Sequence, residues 1–280
     1  MNGPTTKIAF IGGGNMASAL IDCLLKGGLV PQDIVVIEPV PPLRDAFAAR
    51  GMAAHATAHA DLRGCDIWFL AVKPQSMQEV CTQVAPFLAA DTLVISIAAG
   101  LQLASIQGWL QGDGKGGHAK LARAMPNTPA KVGLGITGLF ALPGCDGNDI
   151  SAVQSLFETA GKTVWLHEEG MLDAITAISG SGPGYVFYFM EAMQQAAREL
   201  GFDDATARDL AVATFQGAAA LAVQSPDALS TLRERVTSKG GTTYAALTSM
   251  QEASVGPAIV KALHAANARA KDLAAQLSKT

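Results

Sequence analysis

Residues 7–20 read Lys-Ile-Ala-Phe-Ile-Gly-Gly-Gly-Asn-Met-Ala-Ser-Ala-Leu, an apolar run that passes directly into Gly12-x-Gly14-x-x-Ala17 and then into helix-forming sequence. In a strand-turn-helix of this kind Gly12 makes the tight turn, Gly14 lets the backbone approach a pyrophosphate, and the small Ala17 lets helix and strand pack closely. The phosphates then rest on unpaired N–H groups at the helix start. A second apolar run, Asp33 to Glu38, follows one helix later and ends in an acid, the position from which a carboxylate grips the adenosine ribose. Residues 7–38 therefore announce a Rossmann domain with Gly12, Gly14 and Glu38 as cofactor contacts.

From Lys7 to about Leu166 the pattern repeats. β-branched runs at Lys7–Ile11, Asp33–Glu38, Asp66–Val72, Thr92–Ile97, Lys120–Ala124, Leu134–Phe140 and Thr163–Leu166 alternate with helical or loop sequence, which predicts an α/β fold, a doubly wound parallel sheet. Ligands of such sheets collect at the carboxyl ends of the strands. That rule adds Ala71, Val72, Lys73 and Pro74 after the third run and Ala98 and Ala99 after the fourth. The stiff Met125-Pro126-Asn127-Thr128-Pro129 loop is expected to orient an amide or substrate, or simply to turn. After Glu168 strand signals stop and Ala, Leu, Met, Gln and Glu recur with helical period, so the chain divides into a dinucleotide-binding domain, 1–167, and an all-α domain, 168–280. Helices are expected from Tyr185 to Leu200, ending at Gly201, and from Asp203 to Ser225, ending at Pro226.

The helical half carries one segment suited to an anion. Ser238-Lys239-Gly240-Gly241-Thr242-Thr243 precedes the run Tyr244-Ala245-Ala246-Leu247, so two glycines expose the first N–H groups of a helix beside hydroxyls and a lysine. The plainer alternative is an N-cap by Thr242 or Thr243. Ser179-Gly180-Ser181-Gly182-Pro183-Gly184 leads into the long helix and reads as an interdomain turn or a further anion contact.

Composition excludes several classes. With 280 residues, a net charge of −4 and no Lys/Arg cluster, the chain suits small molecules rather than nucleic acid or an anionic membrane. No apolar run reaches spanning length without Gly, Pro or charge. Only 16% of residues are charged, which points to surface buried by self-association. Cys23, Cys65, Cys81 and Cys145 form no Cys-x-x-Cys pair and no signal peptide precedes the first strand, so a cytoplasmic setting is expected. His55 and His59 stand four apart without an evident third ligand, so no metal site is expected; they read as surface histidines. His118, His167 and His264 have no Ser or Asp partner by spacing, and hydrolase chemistry has no support. The Gly-rich segment Gln111 to Gly117 reads as a loose loop.

Five motifs, Ile11-Gly12-Gly13-Gly14-Asn15-Met16, Val72-Lys73-Pro74-Gln75, Met125-Pro126-Asn127-Thr128-Pro129, Ser179-Gly180-Ser181-Gly182-Pro183 and Val236 to Thr243, together resemble the pyrroline-5-carboxylate reductases across nearly the whole chain. The resemblance implies reduction of L-1-pyrroline-5-carboxylate to L-proline by hydride transfer from NADPH or NADH, the last step of proline biosynthesis. It also implies an interlocked homodimer, with rings of dimers beyond that. Carried over by motif, Asn15 and Met16 join the cofactor contacts. Ser238, Gly240, Gly241, Thr242 and Thr243 hold the substrate, and Thr243 is the catalytic hydroxyl facing the ring nitrogen. Two departures stand out. Lys239 replaces the usual proline, and Glu38 stands where relatives usually carry Ser or Thr, which favours a free ribose diol and NADH; Arg44 is the nearby cation able to bind a 2′-phosphate instead. A β-hydroxyacid dehydrogenase is the nearest rival, but it would carry a lysine on the long helix and Tyr185 to Leu200 has none. A non-catalytic dinucleotide sensor would leave the Gly240-Gly241-Thr242-Thr243 segment without a purpose.

Overall fold

The computed structural model describes residues 6–111 and 118–277, so most of the Gly-rich loop expected at 111–117 lies outside the described residues. The chain forms two compact units, residues 1–180 with 266–280, and residues 181–265.

The first unit is built on β1 (Ile8–Ile11), β2 (Ile34–Ile37), β3 (Ala53–His55), β4 (Ile67–Leu70), β5 (Leu93–Ser96), β6 (Leu121–Met125), β7 (Gly135–Ala141) and β8 (Gly161–Trp165), in the order β3-β2-β1-β4-β5-β6-β7-β8. Every residue of β1, β2, β4 and β5 is buried, as a sheet covered on both faces requires. Their two-residue period sorts the core into halves. Ile8, Phe10, Val36, Phe69 and Ile95 share one face, and Ala9, Ile11, Val35, Trp68 and Val94 the other. Phe10 stacks on Phe69 at 4.6 Å, and Phe157 meets Phe69 edge-on at 5.8 Å, clamping the helix α5 (Gly147–Glu158) to the sheet. The buried indole of Trp68 donates to the Leu62 carbonyl at 3.2 Å, which removes the cost of an orphaned N–H.

Two features depart from the sequence reading. The sheet is mixed, because β7 runs antiparallel to β6. The physical reason is length: the linker holds one 3-10 turn, Thr128–Val132, with prolines on either side of Asn127, and a parallel pair needs a crossover of about a dozen residues or more. The edge strand β3 was absent from the expected set, being three residues long and rich in alanine, a poor strand former.

Helices α1 (Asn15–Lys26), α2 (Pro41–Ala49), α3 (Met77–Val84) and α4 (Leu103–Trp109) cover the sheet with α5. A short helix α6 (Met171–Ile175) runs into a π-helical turn, Thr176–Gly180. Arg123, on β6, has a side chain only 4% exposed; it donates to Glu169 Oε1 at 3.1 Å and lies 3.8 Å from Asp173 Oδ1. Glu169 Oε1 also accepts the Leu103 N–H at 2.7 Å, so one buried cation ties β6, α4 and α6 together.

The second unit is helical, as expected. Helix α7 (Gly182–Glu199) ends before Gly201, and α8 (Asp204–Gln224) is capped by Asp203, whose carboxylate accepts the Thr206 N–H at 2.9 Å. Then come α9 (Leu229–Arg235), α10 (Thr242–Glu252) and α11 (Val255–Leu277); α11 passes back into the first unit, where Leu277 packs on the core face that holds Trp68. Among the described residues no helix is long and apolar enough to cross a membrane.

Replacing Arg123 by Met would leave the Glu169 and Asp173 carboxylates facing each other without their cation. We expect Arg123→Met to cost about 3 kcal/mol in urea unfolding; a loss below about 1 kcal/mol would show that the cluster does not hold these elements together.

Candidate functional site

The order of the sheet reverses between β1 and β4, and a crevice of about 760 Å³ opens there at the carboxyl ends of the strands. Gly12, Gly14, Glu38, Ala71, Val72 and Lys73 all line it, as the sequence predicts. Gly12 has φ +102°, and a Cβ there would lie 2.7 Å from the Ala71 carbonyl oxygen, so only glycine lets the turn pass over β4. Gly14 is the N-cap of α1 and brings no side chain to the first free N–H groups, leaving them open to an anion. Asn15 is exposed in the first turn, whereas Met16 packs partly on the core.

Glu38 sits deeper than a simple ribose contact. It is 6% exposed; Oε2 accepts the Gly13 N–H at 2.8 Å and Oε1 accepts the Val40 N–H at 2.9 Å. The carboxylate thus braces the glycine loop from below while keeping free lone pairs at the crevice edge. Arg44, in the first turn of α2, lies 3.4 Å from Asp45, whose side chain is mostly exposed. Such a surface pair is worth at most about 1 kcal/mol and does not tie Arg44 down.

Other predicted contacts fall outside the crevice. Pro74 opens a 3-10 turn beside it, and Ala98 is 5% exposed and packed in the core, with Ala99 following; none of the three is among the lining residues. In their place come Val40, Leu43, Ala56, Thr57 and Ala58. The last three follow β3, the strand whose signal was too weak to read.

Of the two readings of the Asn127 loop, an orienting group or a rigid turn, the hydrogen bonds of Asn127 support the turn. Its amide donates to the Ser179 carbonyl at 3.1 Å and accepts the Ile136 N–H at 3.0 Å, so both ends are spent joining β7 to the π-helical turn. These two bonds order the backbone of the loop.

In the second unit Gly241, not Thr242 or Thr243, is the N-cap of α10, and no side chain caps it. Gly240 takes φ +74°, and the Gly241 N–H turns back to the Ser238 carbonyl at 3.0 Å. A Cβ on Gly241 would stand 2.6 Å from Ser238 Oγ, so the glycine pair lets the serine hydroxyl close over the helix end. Thr242 is exposed and Thr243 half-buried in the first turn. The helix thus starts with N–H groups that no side chain has claimed, beside three hydroxyls and Lys239, a set of donors fitted to a carboxylate.

Among the described residues, neither the crevice lining nor the start of α10 includes a histidine or a cysteine. His118 is held by the Thr92 carbonyl at 2.6 Å, and burial pushes its pKa down. All four cysteines are free, and burial pushes the thiols of Cys65 and Cys145 up to about 11 and that of Cys81 to about 12, which makes them poor nucleophiles.

Residues 7–100 match the family of NADP oxidoreductases described as coenzyme F420-dependent, and residues 169–273 match the pyrroline-5-carboxylate reductase dimerisation family. The chain is 40% identical to the pyrroline-5-carboxylate reductase of Haemophilus influenzae, over 95% of its own length and 97% of that protein. Among solved structures, the pyrroline-5-carboxylate reductase of Coxiella burnetii is 37% identical with a TM-score of 0.87, covering 96% of this chain and 99% of that one. The Plasmodium falciparum pyrroline carboxylate reductase, solved with NADP bound, is 26% identical with a TM-score of 0.83, covering 96% and 98%. Both halves of the fold and nearly the full length of the sequence agree, and the chain belongs to the pyrroline-5-carboxylate reductase family.

Proposed function

We propose that this chain reduces L-1-pyrroline-5-carboxylate to L-proline with NADPH or NADH. The observation that carries the reading is the pairing, in one chain of this family, of a switch-point dinucleotide crevice with a helix start whose N–H groups are uncapped. When bound, the reduced nicotinamide supplies a hydride to C5 of the ring imine. Gly12 and Gly14 give the pyrophosphate backbone contact at the start of α1, where Asn15 and Met16 follow, and Ala71, Val72 and Lys73 line the far wall; Pro74, Ala98 and Ala99 shape the strand ends behind it. The Thr242 and Thr243 N–H groups, with Ser238 and the turn at Gly240 and Gly241, hold the substrate carboxylate. The Thr243 hydroxyl faces the ring nitrogen. An imine that arrives protonated accepts the hydride to give the neutral amine, which takes its last proton from water, so the chain's work is orientation, which suits a site without histidine or cysteine.

Glu38 sets the cofactor choice. Its buried carboxylate hydrogen-bonds a ribose diol and repels a 2′-phosphate, so NADH serves at least as well as NADPH. The functional domains are 1–167 for the dinucleotide and 168–280 for substrate and assembly. The assembly is an interlocked homodimer, with a ring of dimers above it. Support comes from the second unit, where Phe187, Tyr188, Leu221 and Val223 are 60–71% exposed and no residue of α7 is buried. The enzyme works in the cytoplasm, where four free cysteines stay reduced.

The first test follows loss of nicotinamide absorbance with purified protein and pyrroline-5-carboxylate, NADH and NADPH in parallel. Turnover with both, NADH at least matching NADPH in kcat/KM, is expected; no oxidation of either removes the reductase reading. Glu38→Gln should raise the NADPH-to-NADH ratio of kcat/KM by about tenfold, a 1.4 kcal/mol change, and an unmoved ratio would hand the choice to Arg44. Thr243→Ala should lower kcat on the order of a hundredfold with cofactor affinity intact. Retained kcat would dismiss the hydroxyl.

A further inference from the structure

The crevice corresponds to the adenosine half of a dinucleotide site. Among the described residues its lining comes from the ends of β1, β2, β3 and β4 and from α3, with none from the ends of β5 or β6, the side that takes the second mononucleotide. With the pyrophosphate at Gly14 and the ribose at Glu38, the base is left the space beyond Glu38. The aliphatic groups there come from two elements. Val40, the N-cap of α2, and Leu43, within it, are 46% and 43% exposed, and Val80 on α3 is half-buried. Partly exposed aliphatic side chains gathered in a cleft suit the flat face of a purine.

Two polar side chains of α3, Glu79 and Gln83, line the same crevice four residues apart, on one face of the helix with Val80. Both are exposed. Gln83 Nε2 donates to Glu79 Oε1 at 3.1 Å. A carboxylate only accepts hydrogen bonds, so this contact settles which end of the amide is which: Nε2 turns toward Glu79 and Oε1 turns away from it.

We propose that Gln83, held in this orientation, reads the adenine base of the cofactor, and that Glu79 is the positioning residue for its amide. The inference rests on the dinucleotide reading of the crevice and carries it from the ribose to the base. A glutamine amide matches one edge of adenine, Oε1 accepting from the exocyclic amino group and the second Nε2 hydrogen donating to the neighbouring ring nitrogen. Hypoxanthine carries a carbonyl in place of that amino group, so acceptor would meet acceptor. The amide cannot turn over to relieve the clash without giving up its bond to Glu79. Base and ribose are then read by different elements, the base from α3 and the 2′ position from Glu38 at the end of β2, and neither contact takes part in the hydride step.

The test is calorimetric titration of the full-length protein with NADH, NADPH and their two hypoxanthine analogues, without imine, so that it reads binding and not turnover. The native protein should bind the adenine form of its preferred cofactor about tenfold more tightly than the hypoxanthine form, the lower end of what a glutamine–adenine pair discriminates. Gln83→Ala should abolish that preference, chiefly by weakening the adenine form, and Glu79→Ala should lower it by freeing the amide to turn. Equal, measurable affinities for the two forms in the native protein, or an unchanged ratio in Gln83→Ala, would overturn the proposal and leave the dinucleotide reading standing. An unchanged ratio in Glu79→Ala would strike the positioning role. Binding of none of the four dinucleotides would overturn both the proposal and the reading beneath it.

Discussion

A methyl group at residue 12 would stand 2.7 Å from the Ala71 carbonyl, and that close approach is the constraint on which the rest of the molecule depends. The loop after β1 must cross the end of β4, because the strand order reverses between them. Only a residue without a Cβ, in a positive-φ conformation, passes there without pushing the two strands apart. Once it has passed, the Ala71 N–H reaches the Ile11 carbonyl at 2.8 Å and the Gly12 N–H reaches that of Ile37 at 2.8 Å, so three strand ends meet at one point. The crevice is the space left above that junction. Its floor is therefore fixed by backbone rather than by side chains, which is the rigidity that positioning a dinucleotide demands.

Glu38 extends the same constraint outward. A buried carboxylate is costly unless its lone pairs are met, and here two backbone N–H groups meet it, one from the glycine loop and one from the start of α2. The group proposed to discriminate between cofactors thus also fixes the glycine loop. On that proposal, cofactor choice and loop order are coupled in one side chain, so a substitution there acts on both.

How much of this was legible in the chain depended on how strongly each feature was encoded locally. Strands β1, β2, β4 and β5 were legible because burial on both faces demands unbroken apolar runs. The glycine loop, Glu38 and the C-terminal ends of α7 and α8 were legible because each depends on a residue type that is physically required, whereas α7 starts at Gly182 rather than Tyr185 because a proline is tolerated in a first turn. Strand β3 was not legible, since three residues of alanine and histidine carry little strand preference, and with it went Ala56–Ala58 on the crevice wall. The direction of β7 could have been read, because the Met125–Leu134 linker has two prolines and no room for a crossover helix. Asn127 was recognised as polar and placed, but its two partners lie on β7 and on the π-helical turn, and long-range hydrogen bonds leave no local trace.

On the proposed function, reaction and assembly share the helical unit for a physical reason. α7 buries no residue and α8 only Ala207 and Ala211, so these helices lack the packing that normally pays for their order. Their remaining apolar surface has to find its cover in a second copy, in keeping with the dimerisation family that matches residues 169–273. The glycine-led start of α10 belongs to the same unit, and its unclaimed N–H groups keep their direction only while the helix behind them is held. An anion site of this kind needs no charged residue, but it does need a rigid helix. If the start of α10 holds the substrate as proposed, self-association becomes a condition for substrate binding rather than an accessory to it, because the order of the binding groups and the burial of the helices are supplied by the same contacts.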